Sequence, residues 1–310
     1  MTVAAPGSDV YDEVFEQHRP VLLGLAYRML GSWWDAEDTV QDAWLRWRRS
    51  GPESVADPRG WLVTVTTRIA LDQLRSARRQ RETYVGPWVP EPVPTGRLAL
   101  DPAETAEQRA TVSLAALRLM EQLTPPERAV YLLREAFELP FQEIADALDV
   151  GAANARQLYH RAAARLAGDK ARFAVDGSRH LALVDRFVAA AATGDRAGLQ
   201  ALLADDVVLW SDGGGKVRAA LNPVHGPAKV MRFLMGVLDK APQARCYRLD
   251  VNGGPAVLFV LGEHRLLLSF ETRDGNIAGI QGAANPDKLR TITIPDRAPC
   301  FVHGSGPLPV

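Results

Sequence analysis

The feature that most limits the fold of this chain is a proline-rich stretch, YVGPWVPEPVPTGRLALDP, which begins at Tyr84 and holds five prolines. Proline has no backbone N–H to donate and its ring clashes with the preceding helical turn, so such a stretch is extended or polyproline-like. We therefore predict a linker over residues 84–104 between two folded parts. Trp88 and Val89 lie in its middle. An aromatic side chain in a stiff linker indicates docking onto a folded surface, and an incidental exposed residue is the alternative.

Three helices are predicted before the linker, and together they form an all-α domain over residues 8–83. The first covers residues 8–30 and the second covers residues 35–48, each with apolar residues at helical spacing. The third begins at the capping residue Asp57, has Pro58 in its first turn and ends at Arg81.

The third helix carries two different stripes. One is predicted to face the core, and it consists of Trp61, Leu62, Val65, Ile69 and Asp72. The opposite stripe is predicted to be polar, and it consists of Thr64, Thr67, Arg68, Leu71, Arg75 and Arg78. Six arginines stand against one aspartate between residues 59 and 81. Guanidinium groups beside tryptophan can hold phosphates and stack on unpaired bases, so this stripe is a candidate nucleic-acid-binding surface. The alternative interpretation is a cationic helix face that is only solvated.

The second helix is predicted to expose an acidic face with one leucine on it. This face consists of Asp38, Gln41, Asp42 and Leu45. Such a pattern is typical of a docking surface for a basic protein partner, although a solvated face also produces it.

A helix-turn-helix is predicted within an all-α domain over residues 105–170. Its first helix covers Phe141 to Leu148, its turn lies at Gly151, and its second helix covers Ala153 to Leu166. The outward side chains of the second helix are Asn154, Arg156, Gln157, His160 and Arg161. Arginine can bond guanine and asparagine or glutamine can bond adenine in the major groove. A purely structural hairpin remains the alternative.

The pattern changes after residue 178, where helices alternate with strands that are bounded by turn residues such as Asn252 and Gly253. We predict an α+β cone over residues 178–290, in which helices cover one face of a curved antiparallel sheet, followed by a tail over residues 291–310. The candidate general bases in the cone are Asp212, His225, Asp250 and His264. None of them is paired by sequence with a second catalytic group, so catalysis stays an alternative only.

Composition excludes several classes of protein. The net charge is −1, so nucleic-acid binding depends on local basic patches. Cys246 and Cys300 belong to no metal-binding cluster, and neither a metal nor a cofactor is expected. No stretch approaches the roughly 20 apolar residues that span a bilayer, and the N-terminus does not resemble a signal peptide. We expect a soluble cytoplasmic protein with no membrane contact.

Three motifs in order, DAEDTVQDAWLRW, DPRGWLVTVTTRIALDQLRSARRQR and LTPPERAVYLLREAFELPFQEIADALDVGAANARQLYHRAAARL, resemble those of extracytoplasmic-function (group IV) sigma factors of the sigma-70 family. The resemblance is to the subgroup with a C-terminal SnoaL-like domain. It covers residues 11–168 as two sigma domains and residues 178 to about 290 as the extra domain. The short motifs WVPEP, DGGGK and NPDK resemble motifs of that subgroup.

The resemblance implies an alternative sigma factor that reads −10 and −35 promoter elements and is not an enzyme. Its partners would be promoter DNA and core RNA polymerase, through the β′ and β subunits. The polymerase-binding residues would be Asp38, Gln41, Asp42, Leu45 and Arg46. The −10 residues would be Trp61, Thr64, Arg68, Arg75, Arg78 and Arg79, and the −35 residues would be Asn154, Arg156, Gln157, His160 and Arg161.

The resemblance also implies that the C-terminal domain modulates activity, and our hypothesis is that it does so through contacts with the linker and the sigma domains. The residues expected to make these contacts are Trp88, Pro90, Glu91, Pro92, Asp212, Gly213, Gly214, Lys216, Asn285, Pro286, Asp287 and Lys288. The alternatives are an unknown small ligand sensed in the pocket of that domain, an enzyme, or a DNA-binding regulator that acts without polymerase.

Overall fold

The computed structural model describes residues 8–302 except 52, 54, 82, 99–104, 168–176 and 242. The chain divides into two compact units. The first, which we call the helical unit, comprises Met1–Gln80, Leu98–Thr111 and Met120–Leu166. The second, the sheet unit, comprises Arg81–Arg97, Val112–Leu119 and Ala167–Val310. The proline-rich stretch through Arg97 therefore packs as part of the sheet unit. None of the helices in the described ranges is long and apolar enough to cross a membrane.

The helical unit starts with three long helices. They are α1 (Ser8–Leu30), α2 (Trp33–Arg49) and α3 (Pro58–Arg81). Gly31 adopts φ 68° where α1 ends, and the Ser32 hydroxyl caps α2 by accepting from the backbone N–H of Asp35. Trp47 is buried, and its ring lies 5.5 Å from that of Trp61 on α3.

The two stripes predicted for α3 are partly wrong. Thr67 and Leu71 are buried although they were assigned to the polar stripe, and the side chain of Asp72 is 75% exposed although it was assigned to the core. The Thr67 hydroxyl donates to the Val63 carbonyl oxygen at 2.8 Å, which removes the cost of burying it. Helix α3 therefore buries a wider arc than one stripe, because neighbouring elements cover more than one of its sides.

Five shorter helices follow along the chain, and of these α5 belongs to the sheet unit as far as Leu119. They are α4 (Ala106–Ala110), α5 (Leu114–Met120), α6 (Pro125–Glu135), α7 (Phe141–Leu148) and α8 (Ala152–Leu166). Thr124 and Glu127 form the capping box at the start of α6. Between α7 and α8 Asp149 takes a left-handed conformation, and the pair makes the helix-turn-helix. A turn at residues 111–113 separates α4 from α5.

Besides α5 as far as Leu119, the sheet unit holds three α-helices and seven strands among its described residues. They are α9 (Gly177–Thr193), α10 (Arg196–Ala201), β1 (Leu203–Asp212), β2 (Val224–His225), α11 (Pro227–Leu238), β3 (Arg245–Val251), β4 (Gly254–Leu261), β5 (His264–Arg273), β6 (Asn276–Ala283) and β7 (Phe301–Val302). The strand order is β2-β1-β6-β5-β4-β3-β7. Strands β1 and β6 are parallel, so the sheet is mixed rather than antiparallel throughout.

The sheet has an apolar cluster on each face. On one face Phe187 of α9 and Leu234 of α11 pack with Phe270 of β5. On the other face Leu114 of α5 packs with Leu267 of β5 and Leu289. We call these the helix-covered face and the outer face.

The predicted tail takes part in the fold as far as Val302. Strand β7 pairs with β3, and Phe301 is fully buried in the cluster of the helix-covered face. Its ring lies 6.2 Å from that of Phe259 in an edge-on arrangement. The rest of the predicted tail, residues 303–310, lies outside the described residues. A strand of only two residues carries no periodicity that reveals its pairing.

Candidate nucleic-acid interface and linker site

A cleft opens on the helical unit between the loop before α3 and the first turns of that helix. Its volume is about 580 Å³. It is lined by Ser50, Val55, Ala56, Asp57, Gly60, Trp61, Thr64, Val65 and Arg68. An aromatic edge, a hydroxyl and a guanidinium meet here, which is the chemistry that holds an unpaired nucleotide.

The arginines predicted to read the −10 element have different surroundings. Arg68 donates from Nε to the Ala147 carbonyl oxygen and from Nη2 to that of Asp146, each at 2.9 Å. Arg75 is exposed and pairs with Asp72 at 3.1 Å. The side chains of Arg78 and Arg79 lie outside the described residues.

The outward face of α8 presents most of its predicted residues to solvent. Asn154, Arg156, Gln157 and His160 are exposed, while Ala155, Leu158 and Ala162 face the core. Arg161 is also exposed and lies 3.4 Å from the carboxylate of Glu127, which pairs with Arg165 at 2.6 Å.

Glu127 ties α8 to the start of α6. Burial by itself would raise the pKa of this carboxyl, but the backbone N–H and hydroxyl of Thr124 together with Arg165 and Arg161 hold the pKa below its usual range. The charged form therefore anchors the helix that carries the exposed face.

The predicted docking face on α2 is open. Asp38, Gln41, Asp42, Leu45 and Arg46 are exposed, and the opposite side of α2 supplies Val40, Ala43 and Trp47 to the core.

The proline-rich stretch is held by Asp212 at the end of β1. Its Oδ2 accepts from the Val89 backbone N–H at 2.9 Å and from Lys288 Nζ at 2.7 Å, while its Oδ1 accepts from the Tyr84 hydroxyl at 2.6 Å. Lys288 also donates to the Val89 carbonyl oxygen at 2.6 Å. Both backbone groups of Val89 are thus satisfied by side chains of the sheet unit. We call Tyr84, Trp88, Val89, Asp212 and Lys288 the linker clasp.

Aromatic rings of the clasp lie against cations. Lys288 Nζ lies 4.0 Å from the Trp88 ring centroid, and the guanidinium of Arg81 lies 3.7 Å from it. Burial, followed by the hydrogen bond to Asp212, raises the pKa of Tyr84, so its hydroxyl stays a donor at all physiological pH values.

The glycine-rich loop after β1 is shaped by close approaches. A Cβ on Gly213 would lie 2.3 Å from the Val217 carbonyl oxygen. Gly214 has φ 60°, and a Cβ there would lie 2.1 Å from the Asn285 side-chain nitrogen. Asn285 in turn donates to the Tyr84 hydroxyl at 3.0 Å. Lys216 pairs with Asp287, which lowers the pKa of that carboxyl.

Among the other residues predicted to make regulatory contacts, Pro90, Glu91 and Pro92 are buried, and Pro286 is exposed.

Two residues that hold this part of the linker could not be recognised from the sequence. Asn252 accepts from the Val93 N–H at 2.9 Å and donates to the Val112 carbonyl oxygen at 2.8 Å. The Thr291 hydroxyl donates to the Pro92 carbonyl oxygen at 2.7 Å. Asn252 was recognised only as a turn residue, and Thr291 was assigned to the tail.

The four candidate general bases do not come together in one catalytic site. His225, Asp250 and His264 are exposed on β2, β3 and β5, and Asp212 is committed to the clasp. Within the described ranges no group of three or more His, Cys, Asp or Glu side chains is placed to hold a metal ion.

Comparison with known proteins decides the family. The family Sigma-70 region 2 matches residues 14–80, and the family Sigma-70 region 4 matches residues 113–166. The ECF RNA polymerase sigma factor SigJ of Mycobacterium tuberculosis is 37% identical over 296 residues, which cover 91% of this chain and 94% of SigJ. The chain belongs to the ECF RNA polymerase sigma factors.

Other comparisons agree with this sigma-factor assignment. The crystal structure of SigJ matches with a TM-score of 0.72 and 34% identity, covering 90% of this chain and 98% of that one. The probable ECF sigma factor SigI of M. tuberculosis is 35% identical over 189 residues, which cover 60% of this chain and 64% of SigI. The predicted family and the fold class, two helical sigma domains followed by an α+β SnoaL-like domain, are confirmed. The protein is an alternative sigma factor that directs transcription.

Proposed function

We propose that this sigma factor recruits core RNA polymerase through α2, reads an opened −10 strand with α3 and a duplex −35 element with α8, and is regulated by its C-terminal domain through the linker. The observation that carries the regulatory part is the capture of both backbone groups of Val89 by Asp212 and Lys288. The protein would act in the cytoplasm, where RNA polymerase works.

The α2 face supports polymerase binding because its charge and exposure suit a protein partner. Asp38 and Asp42 are exposed around Leu45, which is itself 37% exposed. An apolar residue ringed by charges is typical of a small, specific interface. We assign the β′ subunit to this face and the β subunit to region 4.

The α3 cleft supports binding of an opened strand. Trp61 offers a ring for stacking beside the hydroxyl of Thr64, and Arg75 is exposed farther along the same helix. Base stacking on aromatic rings is worth about 1–3 kcal/mol per base. Duplex DNA keeps its bases stacked inside, so this cleft favours the melted part of a promoter.

The α8 face supports reading of duplex DNA. Arg156 and Gln157 are exposed in its first two turns, and α8 is the second helix of a helix-turn-helix. The second helix of this motif enters the major groove, where such side chains discriminate bases.

The clasp supports a regulatory role because the linker sets the reach between the two DNA readers. A linker that is bound to the sheet unit spans a shorter distance than a free one. The effective concentration of one tethered DNA reader at its site depends steeply on the distance that the linker can span. Residues 88–93 are all at least half-buried in the sheet unit. Releasing or holding them therefore changes which promoter spacings can be bridged.

Ligand sensing has less support. Among the described residues of the helix-covered face, the rings of Phe187 and Phe270 lie only 4.9 Å apart and Phe301 is buried in the same cluster.

Run-off transcription with core polymerase and the full-length factor tests the proposal. Asp212→Ala, which removes the acceptor of the Val89 N–H, is compared with Asp185→Ala, which breaks the exposed Arg248–Asp185 pair. We expect only Asp212→Ala to change promoter-specific transcription. Equal activity of both variants and the wild type would reject the regulatory role, and a wild type that never initiates would reject the whole proposal.

A further inference from the structure

We propose that sigma regions 2 and 4 hold each other in a closed, non-initiating arrangement through two reciprocal contacts, in each of which an arginine of one region caps the C-terminal end of a helix in the other. The two arginines are Arg128 and Arg68. The inference rests on the proposed function of α3 and α8 as promoter readers. All residues involved belong to the helical unit.

The first contact runs from region 4 to region 2. Arg128 on α6 donates from Nε and Nη2 to the Arg28 carbonyl oxygen at 3.2 and 3.0 Å. Arg28 lies in the last turn of α1, where carbonyl oxygens have no partner within the helix. The side chain of Arg128 is only 1% exposed and also pairs with Glu121. This contact is therefore shielded from solvent.

The second contact runs in the opposite direction. Arg68 on α3 donates two hydrogen bonds to the last turn of α7, to the carbonyl oxygens of Asp146 and Ala147. The C-terminus of a helix carries partial negative charge, and a planar guanidinium can satisfy two such acceptors at once. Arg68 is exposed as a residue, so this contact is open to competition.

The closed arrangement is incompatible with promoter binding at both elements. Elements centred near −10 and −35 are about 25 base pairs apart, and at about 3.4 Å per base pair this is roughly 80 Å along the duplex. Helices α3 and α7 are joined here by hydrogen bonds of 2.9 Å. Regions 2 and 4 must therefore separate before both can engage one promoter.

Arg68 makes this separation depend on DNA. It lines the cleft beside Trp61 and Thr64, where an opened strand would lie. The Nε–Nη2 edge that reaches the helix carbonyl oxygens cannot at the same time pair with a phosphate or a base. Promoter strand and α7 thus compete for this edge of the guanidinium, so the closed state is self-inhibiting.

Distance measurements by single-molecule fluorescence on the full chain test this inference. Dyes are attached at Gln17→Cys and Ala164→Cys, both exposed positions, in a Cys300→Ser background that leaves only the buried Cys246. The variants are Arg68→Ala and Arg68→Lys, and Arg75→Ala on the same helix is the matched control. Arg128→Met is a second variant, checked for helix content by circular dichroism.

In the free wild type we expect most molecules to show a short distance and a small minority to show a long one. Arg68→Ala should raise the ratio of long-distance to short-distance molecules on the order of tenfold, Arg68→Lys by less, and Arg75→Ala not at all. Identical distance distributions in the wild type and Arg68→Ala would overturn the inference. The proposed function is judged separately by run-off transcription with the unlabelled wild type, so the two failures are distinguishable.

Discussion

Arg118 on α5 donates from Nη2 to Glu271 Oε1 on β5 at 2.8 Å, and the two side chains are 11% and 0% exposed. The same guanidinium lies 3.5 Å from the Trp210 ring centroid. Gln281 also donates to Glu271 Oε1, whereas Oε2 has no partner among the described residues. A buried charge pair thus joins α5 to the outer face of the sheet.

Removing one member of this pair should be costly. Glu271→Gln leaves the Arg118 guanidinium buried without its counter-charge, and we expect a loss of about 3–5 kcal/mol in the free energy of unfolding. The double variant Arg118→Met with Glu271→Leu should recover most of that loss, because no charge is left buried. Urea denaturation of the full chain measures both.

A matched exposed pair provides the control for this prediction. Asp185→Asn breaks the pair with Arg248, and both side chains are more than two-fifths exposed. We expect a change below about 1 kcal/mol, since exposed pairs contribute little. Equal losses for Glu271→Gln and Asp185→Asn would contradict the role given to the buried pair.

The linker clasp should be visible in hydrogen exchange. Asp212→Ala removes the acceptor of the Val89 N–H, and we expect that amide to exchange at least about tenfold faster. The Val93 N–H, which donates to Asn252, should change less. Mass spectrometry of peptides that cover residues 84–98 measures the rates.

Exchange in the same peptides should be unaffected by Asp185→Ala. Protection of Val89 that is unchanged in Asp212→Ala would mean that burial alone, rather than the carboxylate, holds the linker.

The glycine-rich loop should tolerate no side chain. At Gly213 and Gly214 an added Cβ would lie 2.3 Å from a backbone oxygen and 2.1 Å from the Asn285 amide, respectively. We expect either alanine substitution to lower the free energy of unfolding by about 1–3 kcal/mol. A Cβ added at Gly236 in α11 would meet no atom within 4 Å, so Gly236→Ala should stabilise by roughly 0.5–1 kcal/mol. Thermal unfolding should therefore show a lower Tm than the wild type for Gly213→Ala and Gly214→Ala, and a higher Tm for Gly236→Ala.

Acid should weaken the anchoring of α8 through Glu127. The folded-state pKa of this carboxyl lies below its usual value of 4.5. Its stabilising contribution is therefore fully present above pH 4.5 and is lost as the pH falls through the lower, folded-state pKa. Glu127→Gln should be less stable than the wild type at neutral pH and should show a flatter dependence of stability between neutral and acid pH. Parallel curves for the two proteins would contradict this.

Local signals in the sequence were enough to define several elements. Phe141 to Leu148 was predicted with the bounds that the structure has, because its apolar spacing ends at a turn. The acidic face of α2 and the exposed face of α8 follow from the same periodicity. The three sigma motifs are continuous in the chain, so the family could be recognised from them alone.

Contacts between distant segments were decided only by tertiary structure. Arg68 meets carbonyl oxygens 78 and 79 residues away, and Arg118 meets Glu271 153 residues away. A backbone acceptor has no side chain to mark it, and either arginine could equally have remained solvated. The parallel pairing of β1 with β6 and the burial of Leu71 and Phe301 likewise depend on which surfaces meet. Periodicity determines which face of an element is apolar, but packing across the whole chain determines what covers it.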